Sequence, residues 1–453
     1  MFKPYPEVKI KGKTASPIVK QEKNLEHFLR FPQGMLAKLR GALLADLSRE
    51  HFAILLASRE IAPNGRKVFV VREAMLASDA DLLSSSLAQV RPSKEFIAHA
   101  LSKARTDLRV NAIIDVHTHP FSQQAFFSGV DDADERRFSQ WLNGFDPKMG
   151  YASLLFSAKA WEARIWEQGT PMPLTLKTQT LLESIPHITP KAEEISTPEM
   201  QSRTALALGV DVLRRIAADQ RIVLAGVGGL GSVIAEQLVR SGFTRIGLID
   251  ADTLEVTNLN RFAGGYLENV GQLKVEVTKN HLKRINPEVD VIALACGVEE
   301  PKAESLLAAA DWIILSTDSH SSRQSVQQTA LRYGVPLISA GVSITVAKEG
   351  NRHKIVDQSG EVIVVRYGDE FCLHCLGRIN PYKVAAETNP DAAVRKGLVE
   401  KGYVQGLKEK EPAVMPLNAT IASITTQTLL DQYRDDAVQQ PIIVYESHAG
   451  SCC

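Results

Sequence analysis

Cysteine is scarce in this chain, and neither sign of charge is in excess. Five cysteines among 453 residues, unevenly spaced, do not form the disulfide framework of a secreted protein. The chain has 52 basic and 52 acidic residues, so no surplus of positive charge favours nucleic acid as a partner. It has no apolar run of membrane-spanning length, and residues 1–20 lack the apolar stretch of a signal peptide. These absences predict a cytoplasmic protein.

The length of the chain predicts two or three domains, since one hydrophobic core rarely serves 453 residues. The pattern divides it into an N-terminal extension (1–23), a mixed α/β domain (24–167), a linker (168–198) and a second domain (199–453). In the first domain, apolar periodicity predicts a helix over 35–47 and strands over 52–56, 68–71 and 111–116.

The second domain repeats a strand, turn and helix rhythm that is typical of a parallel sheet. Its predicted strands are apolar on both faces, which indicates helices on both sides of a doubly wound, Rossmann-like sheet. They lie at 221–225, 245–249, 290–294, 312–316 and 335–339.

A candidate metal site follows the first domain's last predicted strand. His117 and His119 stand two positions apart, so on a strand both imidazoles project from one face. Ser128 and Asp131 share one face of a helical turn, and Asp131 can supply a third ligand. Three protein ligands leave a fourth position for water, as in catalytic zinc sites. Ser128 followed by Asp131 is also typical of a helix N-terminus.

The joint pattern His-x-His-Pro, seven residues, Ser-x-x-Asp resembles the JAMM motif of the JAB/MPN metalloproteases, over roughly the first third of the chain. The resemblance implies zinc ligands at His117, His119 and Asp131 and an oxyanion-stabilising Ser128. It also implies an upstream glutamate as general base. We assign that role to Glu50, with Glu73 as the rival. The expected reaction is cleavage after the C-terminal glycine of a ubiquitin-like protein.

A second candidate site follows the predicted strand over 221–225. Its loop, Gly226-Val-Gly228-Gly229-Leu-Gly231, permits a tight turn and lets phosphate approach the N-terminus of the next helix. Asp250, at the end of the following strand, occupies the position of a ribose-binding acid. These features alone are also compatible with an NAD-dependent oxidoreductase.

The residues after Asp250 favour a triphosphate with Mg²⁺ over a nicotinamide, because they combine acids, an amide and cations. Together with the loop they resemble the ThiF/MoeB/HesA family, relatives of ubiquitin-activating enzymes, over more than half of the chain. The resemblance implies ribose binding by Asp250, Mg²⁺ binding by Asp318, and a homodimer in which Arg203 reaches the neighbouring subunit's ATP. The remaining residues predicted to contact the nucleotide are Asp252, Asn258, Arg261 and Lys274.

The cysteines cluster near the C-terminus. Cys372 and Cys375 have the spacing of half a zinc site, and Cys452 and Cys453 are the available partners for a second, structural zinc. Residues 378–416, where the resemblance places a thioester-forming cysteine, contain none. We therefore expect an activated substrate to pass to a thiol on another protein, such as a conjugating enzyme; Cys372, Cys375 or the C-terminal cysteines are the alternative acceptors. Cys296 is predicted to be inert core.

The two resemblances predict a bifunctional enzyme that trims or removes a ubiquitin-like or sulfur-carrier protein and adenylates its C-terminus. Linkage in one chain raises the effective concentration of each activity for the other. Conjugation and sulfur transfer are both open as downstream uses. The alternatives are a non-catalytic scaffold for a ubiquitin-like partner and a nicotinamide enzyme with an accessory metal domain.

Overall fold

A computed structural model of the chain describes residues 25–87, 89–167, 169–177, 199–349, 352–391, 393–395, 397, 412–434, 437–447 and 451–452. The described residues form two eight-stranded β-sheets, with helices packed against them, and one two-stranded hairpin. None of the described helices combines the length and the apolarity needed to cross a membrane.

The first sheet has the strand order β10-β1-β3-β2-β6-β7-β8-β9, and a small hairpin of β4 and β5 lies apart from it. Strands β6 and β7 are parallel, as are β1 and its two neighbours; the other pairs are antiparallel. The elements are β1 (Phe28–Arg30), α1 (Met35–Leu43), β2 (Phe52–Ile61), β3 (Lys67–Leu76), β4 (Leu82–Ser85), β5 (Val90–Pro92), α2 (Lys94–Thr106), β6 (Ala112–His119), α3 (Gly129–Phe145), β7 (Gly150–Ser157), β8 (Trp161–Glu167), β9 (Thr170–Pro173) and β10 (Thr175–Lys177).

Strand β2 shows why both faces of this sheet are covered. Ala53, Leu55 and Ala57 belong to a buried cluster that includes α1. Ile54 and Leu56 face the other way, into a cluster with α2 and α3. Since successive side chains of a strand alternate between faces, an unbroken apolar run requires this two-sided burial.

Two predictions for the first domain need correction. The helix predicted over 35–47 ends at Leu43. Beyond it, the Asp46 carboxylate accepts hydrogen bonds from the Ser48 N–H and hydroxyl, and such a local turn competes with helix. The sheet also extends past 167, because β9 pairs with β8 and β10 pairs with β1 inside the segment predicted as linker. Residues 178–198 of that segment lie outside the described residues.

The second sheet has the order β13-β12-β11-β14-β15-β16-β17-β18, parallel from β13 to β15 and antiparallel beyond. The parallel part confirms the predicted Rossmann-like fold. The elements are α4 (Ser202–Leu208), α5 (Val210–Asp219), β11 (Arg221–Ala225), α6 (Gly229–Arg240), β12 (Arg245–Ile249), α7 (Lys274–Ile285), β13 (Asp290–Leu294), α8 (Pro301–Ala308), β14 (Trp312–Leu315), α9 (His320–Tyr333), β15 (Leu337–Glu349), β16 (Arg352–Val365), α10 (Pro381–Thr388), α11 (Met415–Asp431), β17 (Ile442–Glu446) and β18 (Ser451–Cys452).

Helices cover both faces of this parallel sheet. Residues of α6, α7 and α11 bury one face, and residues of α8 and α9 bury the other. The chain crosses from one side of β11 to the other between β13 and β14, so the crevice for a ligand lies at the carboxyl ends of β11 and β14. The strand predicted over 335–339 is in fact the start of β15, which continues into a long hairpin with β16.

The two sheets share a buried contact. Val68 and Val70 of β3 lie in the same hydrophobic cluster as α8 and α9. The Arg30 guanidinium, also buried, donates hydrogen bonds to the carbonyls of Ala308, Ala310 and Tyr333, at 3.1, 2.8 and 3.2 Å. These carbonyls lie at or just beyond the C-termini of α8 and α9, where helix geometry leaves carbonyls unpaired.

Candidate functional site

His117 and His119 end β6 as a pair of buried imidazoles on one face of the sheet. Their Nε2 atoms lie 3.4 and 3.8 Å from the two carboxylate oxygens of Asp131. The potential ligand atoms of these three residues all lie within 4.8 Å of one another. In the described part of the chain, no other group of three or more His, Cys, Asp or Glu side chains comes together in this way. The structure therefore brings together the three predicted metal ligands.

The donor set fits a divalent metal such as zinc. Nε2 of His117 is buried and has no hydrogen-bond partner among the described residues, an arrangement that is costly unless something else satisfies the atom. Two imidazole nitrogens and one carboxylate are ligands that zinc accepts.

Asp131 reaches this position because Ser128 begins α3. The Ser128 side chain accepts a hydrogen bond from the Asp131 N–H at 3.2 Å, and the Asp131 carboxylate accepts one from the Ser128 N–H at 2.6 Å. This reciprocal capping box is the helix-start interpretation of the pair. The capping geometry and the metal geometry hold simultaneously, because the carboxylate oxygens also face the two imidazoles.

Glu50 lies in a loop directly before β2, seven residues beyond the end of α1. It is 4% exposed, and its Oε1 atom lies 3.8 Å from Nε2 of His119. Burial raises the pKa of Glu50 to about 7. The rival Glu73 instead forms an ion pair with Lys103 at the surface. The geometry therefore favours Glu50 over Glu73 as a proton carrier beside the metal ligands.

The two histidines have opposite electrostatic surroundings. Burial works to lower the pKa of His117, but the nearby carboxylates of Asp131 and Asp115 outweigh it and raise that pKa. For His119, burial and then the charge of His117 lower the pKa. Burial alone would raise the pKa of Asp131, but its contact with His117 holds it below the usual range. A metal ion bound here would require both imidazoles to be neutral and the carboxylate to be ionised.

The aromatic side chains around His119 were not predicted from the sequence. The Phe121 ring stacks on its imidazole with centroids 5.7 Å apart, and the Phe126 ring lies edge-on at 6.0 Å. Both phenylalanines are otherwise exposed. An apolar wall beside a metal reduces the access of bulk water.

The glycine loop runs from β11 into α6. Gly226 has a φ of 94°, and a Cβ there would meet the Ser316 backbone at 2.9 Å. A Cβ on Gly231 would lie 2.2 Å from the Gly226 carbonyl oxygen. Both positions therefore require glycine for packing. A Cβ on Gly228, by contrast, would meet nothing within 4 Å, so there is space beside the loop at the N-terminus of α6 for a phosphate.

Acids and a cation line the neighbouring strand ends. The Asp250 carboxylate accepts hydrogen bonds from the N–H groups of Val227 and Asp252 at 2.8 and 2.9 Å, which ties it to the glycine loop. Burial raises the pKa of Asp250 despite these donors. The Lys274 ammonium lies 2.7 Å from the Asp252 carboxylate. This edge of the sheet thus collects the loop, two acids and a lysine.

Asn258 and Arg261, which were also predicted to contact the nucleotide, each make local contacts of a different kind. The side-chain amide oxygen of Asn258 accepts a hydrogen bond from the Glu255 N–H at 3.0 Å and so caps a short turn. The Arg261 guanidinium donates to the Thr257 carbonyl at 2.8 Å. The stem of Arg261 lies against Gly229, where a Cβ would be 2.7 Å from its Cγ.

Asp318 is exposed just beyond β14. It does not cap the following helix, α9. Ser319 is the N-cap of that helix, and its side chain accepts the Ser322 N–H.

Comparison with known proteins matches residues 201–440 to the ThiF family. The matched segment is more than half of the chain. The chain belongs to the ThiF family. The match does not extend to the first sheet, so the candidate metal site rests on its own geometry.

Relatives of known function align with parts of this ThiF-family chain. It is 37% identical over 140 residues to the Bacillus subtilis (strain 168) tRNA threonylcarbamoyladenosine dehydratase, covering 31% of this chain and 55% of that protein. It is 28% identical over 226 residues to the Escherichia coli (strain K12) molybdopterin-synthase adenylyltransferase, covering 49% and 84%. The chain thus spans about half the length of the first relative. The crystal structure of E. coli MccB with ATP has a TM-score of 0.43 and 20% identity, covering 57% of this chain and 71% of that one.

Arg203 lies on α4, with an exposed side chain. Its neighbour Thr204 lines a cavity with Gln237 and Arg240, at the C-terminal end of α6. The glycine loop is at the other end of that helix, about 16 Å away for eleven residue steps. Within one chain Arg203 is therefore remote from the loop.

The cysteines divide between core and surface. Cys296 lies just beyond β13 rather than within it, is buried in the α8–α9 cluster, and has a pKa raised by burial. The Sγ atoms of Cys372 and Cys375 lie 3.5 Å apart at the surface. Cys453 and the side chain of Cys452 lie outside the described residues, so the four-cysteine zinc site stays a prediction.

Two further residues contact the glycine loop without having been predicted. The Ser316 hydroxyl donates to the Gly226 carbonyl at 2.9 Å. The Asn418 amide of α11 lies against Gly229. Ser316 belongs to the Leu-Ser-Thr-Asp segment that ends at Asp318, and its small size allows β14 to approach the loop. Asn418 is distant in sequence and carries no local signal.

Proposed function

We propose that the chain is an ATP-dependent adenylyltransferase that activates the C-terminal carboxylate of a ubiquitin-like or sulfur-carrier protein. Membership of the ThiF family carries this proposal. A carboxylate oxygen of the substrate attacks the α-phosphorus of ATP, and the bond to the β-phosphate breaks with release of pyrophosphate. Lys274 and Arg261 would stabilise charge on the phosphates, Asp250 would bind the ribose, and Asp318 and Asp252 would hold Mg²⁺. This assignment replaces the nicotinamide alternative.

Pyrophosphate exchange tests the adenylation. With ATP, Mg²⁺ and a panel of ubiquitin-like proteins ending in glycine, we expect exchange for at least one member. Lys274→Ala should lower the rate about 10²-fold or more, since a cation directed at transferring phosphates contributes on that scale. Lys279→Ala is the matched control, since this lysine of the same helix is also partly buried and pairs with an acid, Glu276, that is not among the predicted nucleotide contacts. Absence of exchange with every panel member would count against the proposal.

We further propose that residues 25–177 form a zinc peptidase that acts on the same class of protein. The convergence of His117, His119 and Asp131 supports it. The strongest single sign is the buried Nε2 of His117, which lies 3.4 Å from the Asp131 carboxylate but has no partner in hydrogen-bond geometry. Zinc held there would polarise the scissile carbonyl and lower the pKa of a bound water. Glu50 would take a proton from the attacking water and return it to the leaving amine, while Ser128 donates a hydrogen bond to the developing oxyanion.

The peptidase is tested with a ubiquitin-like protein carrying an extension after its C-terminal glycine. We expect cleavage after the glycine by the wild-type chain and none by His117→Ala. His99→Ala, an exposed histidine on α2, should cleave normally. Bound zinc per chain should fall by one in His117→Ala only. If metal content were equal in the two variants, the peptidase proposal would be wrong.

We also propose a homodimer. The distance of Arg203 from its own glycine loop supports a role for it at the loop of a second copy. Apolar side chains are exposed on the same segment, with Leu206 at 89%. Sedimentation of the full chain should give twice the monomer mass, and Leu206→Glu should reduce it to the monomer.

A further inference from the structure

Arg164 of β8 lies in a polar row that crosses the first sheet beneath α3. Residues in neighbouring strands pair Asp115 with Ser153, and Ser153 with Arg164. Paired residues project from the same face, so all three side chains leave the sheet on the face of His117. Helix α3 covers this face through Leu142. Arg164 therefore extends into the space between the sheet and the helix that carries Asp131.

The guanidinium of Arg164 contacts both sides of the Ser128–Asp131 capping box. After the box, its Nη1 donates to the Asp132 carboxylate at 2.6 Å and its Nε donates to the Glu135 carboxylate at 2.8 Å. Before the box, the Phe127 ring covers it, with the centroid 3.7 Å from Cζ. Trp166, two residues along β8, also donates to Glu135 at 2.6 Å. Arg164 and Glu135 are both buried.

We propose that Arg164 is a positioning residue that holds Asp131 in place as a metal ligand; this rests on the proposed zinc centre. Asp131 directly precedes Asp132, and Ser128 directly follows Phe127, so Arg164 fixes the chain on either side of the ligand. The Phe127 ring also lies edge-on to His117, with centroids 6.0 Å apart. One guanidinium thus sets the distance between the first turn of α3 and the strand that bears the two imidazoles.

The planar fork of arginine explains the choice of residue. Its Nε–H and Nη1–H point to two carboxylates one helical turn apart, while its flat face stacks on a ring. A lysine ammonium is a point charge and cannot make all three contacts. Second-sphere groups that orient a ligand commonly change metal affinity by about 10–100-fold when removed.

The test compares Arg164→Met, Arg164→Lys and Arg137→Met in the full chain. Arg137 lies on the exposed side of α3 and pairs with Asp134, so its variant removes the same charge without touching the row. Zinc affinity is measured by competition with a chromophoric chelator, and ligand geometry by the visible spectrum of the cobalt-substituted protein. In both measurements, only the part of the signal that is lost in His117→Ala is assigned to this centre. Any zinc or cobalt bound by the cysteines is thereby left out.

We expect zinc affinity about tenfold weaker in Arg164→Met, with an altered cobalt spectrum. Arg164→Lys should recover part of the affinity, and Arg137→Met should match the wild type. If Arg164→Met does not fold, Asp132→Ala decides, since that carboxylate is half-exposed and its loss removes one arm only; zinc binding weaker by up to about tenfold is expected. Wild-type affinity and an unchanged spectrum in the folded variants would overturn the role of Arg164. Failure of the wild-type chain to take up zinc at this centre would overturn the zinc centre itself.

Discussion

Glu50 and Glu73 are two glutamates beside β2 whose carboxylates have different surroundings. Glu50 is buried next to His119, with its pKa raised to about 7 by burial. Glu73 is 42% exposed and its charge is compensated by Lys103. A group with a pKa near neutrality both accepts and returns a proton efficiently at that pH. The surroundings of a carboxylate, which the sequence does not show, decide between two residues of the same type.

Glu50→Gln should abolish proton transfer while leaving the three ligands in place. We expect the peptidase kcat to fall by about 10²–10⁴-fold, the range for loss of a general base, with zinc content unchanged. Glu73→Gln is the control and should keep normal kcat. A fall in kcat for Glu73→Gln alone would reverse the assignment. The measurement is initial cleavage rates of the extended ubiquitin-like substrate at saturation.

Cys372 and Cys375 allow the predicted structural zinc site to be tested by a single substitution. Two thiolates on one tetrahedral zinc lie about 3.8 Å apart, given Zn–S bonds of about 2.3 Å. The observed Sγ separation of 3.5 Å is close to that value. We expect two zinc ions per wild-type chain and one in Cys372→Ser, with peptidase activity retained. Metal analysis after dialysis measures this, and an unchanged zinc count would rule out the cysteine site.

The elements show which parts of the fold the sequence could predict. Strands β11, β12 and β13 begin and end as predicted, because each is a continuous apolar run between polar or glycine residues. β11 and β12 are buried on both faces, and β13 is half-buried at the sheet edge. The long hairpin of β15 and β16 was missed beyond Ser339, since its stability comes from a partner strand rather than from its own composition. His117, His119 and Asp131 could be identified because they are close in sequence. Arg164 could not, because its proximity to α3 depends on the pairing of β6, β7 and β8.

The turn from β11 into α6 depends on close packing rather than on glycine flexibility alone. Gly231 is helical, where alanine would normally be favoured, yet a Cβ there would overlap the Gly226 carbonyl. Gly231→Ala should therefore lower the free energy of unfolding by about 1–3 kcal/mol through overpacking. Gly228→Ala meets no atom within 4 Å and should leave stability unchanged. Urea unfolding without nucleotide measures both; equal midpoints for the two variants would contradict the packing argument.

At the scale of the whole molecule, the two sheets are joined at a distance from both candidate sites. On β2, Glu60 forms an ion pair with Arg332 of α9, whereas Phe52 pairs with His117. These positions are eight residues apart, about 26 Å along the strand. On β14 the contact lies at the amino end, where Asp311 binds Lys177 at 2.8 Å, and the glycine loop borders the opposite end. The contact therefore holds the two domains together without occupying either site.

Arg30 is the buried centre of this contact, and its loss should uncouple the domains. Burial lowers the pKa of Arg30 to about 10, so the guanidinium stays charged at neutral pH while it caps three carbonyls. Arg30→Met leaves those buried acceptors unpaired, which costs on the order of 3 kcal/mol. We expect the single unfolding transition of the wild type to separate into two by calorimetry.

Arg332→Met removes a half-exposed ion pair at the same contact and should cost less than about 1 kcal/mol, with one transition retained. Because each domain has its own core, both proposed activities should persist in Arg30→Met below the first transition. A single undisplaced transition in that variant would show that the apolar cluster around Val68 and Val70 is sufficient to join the sheets.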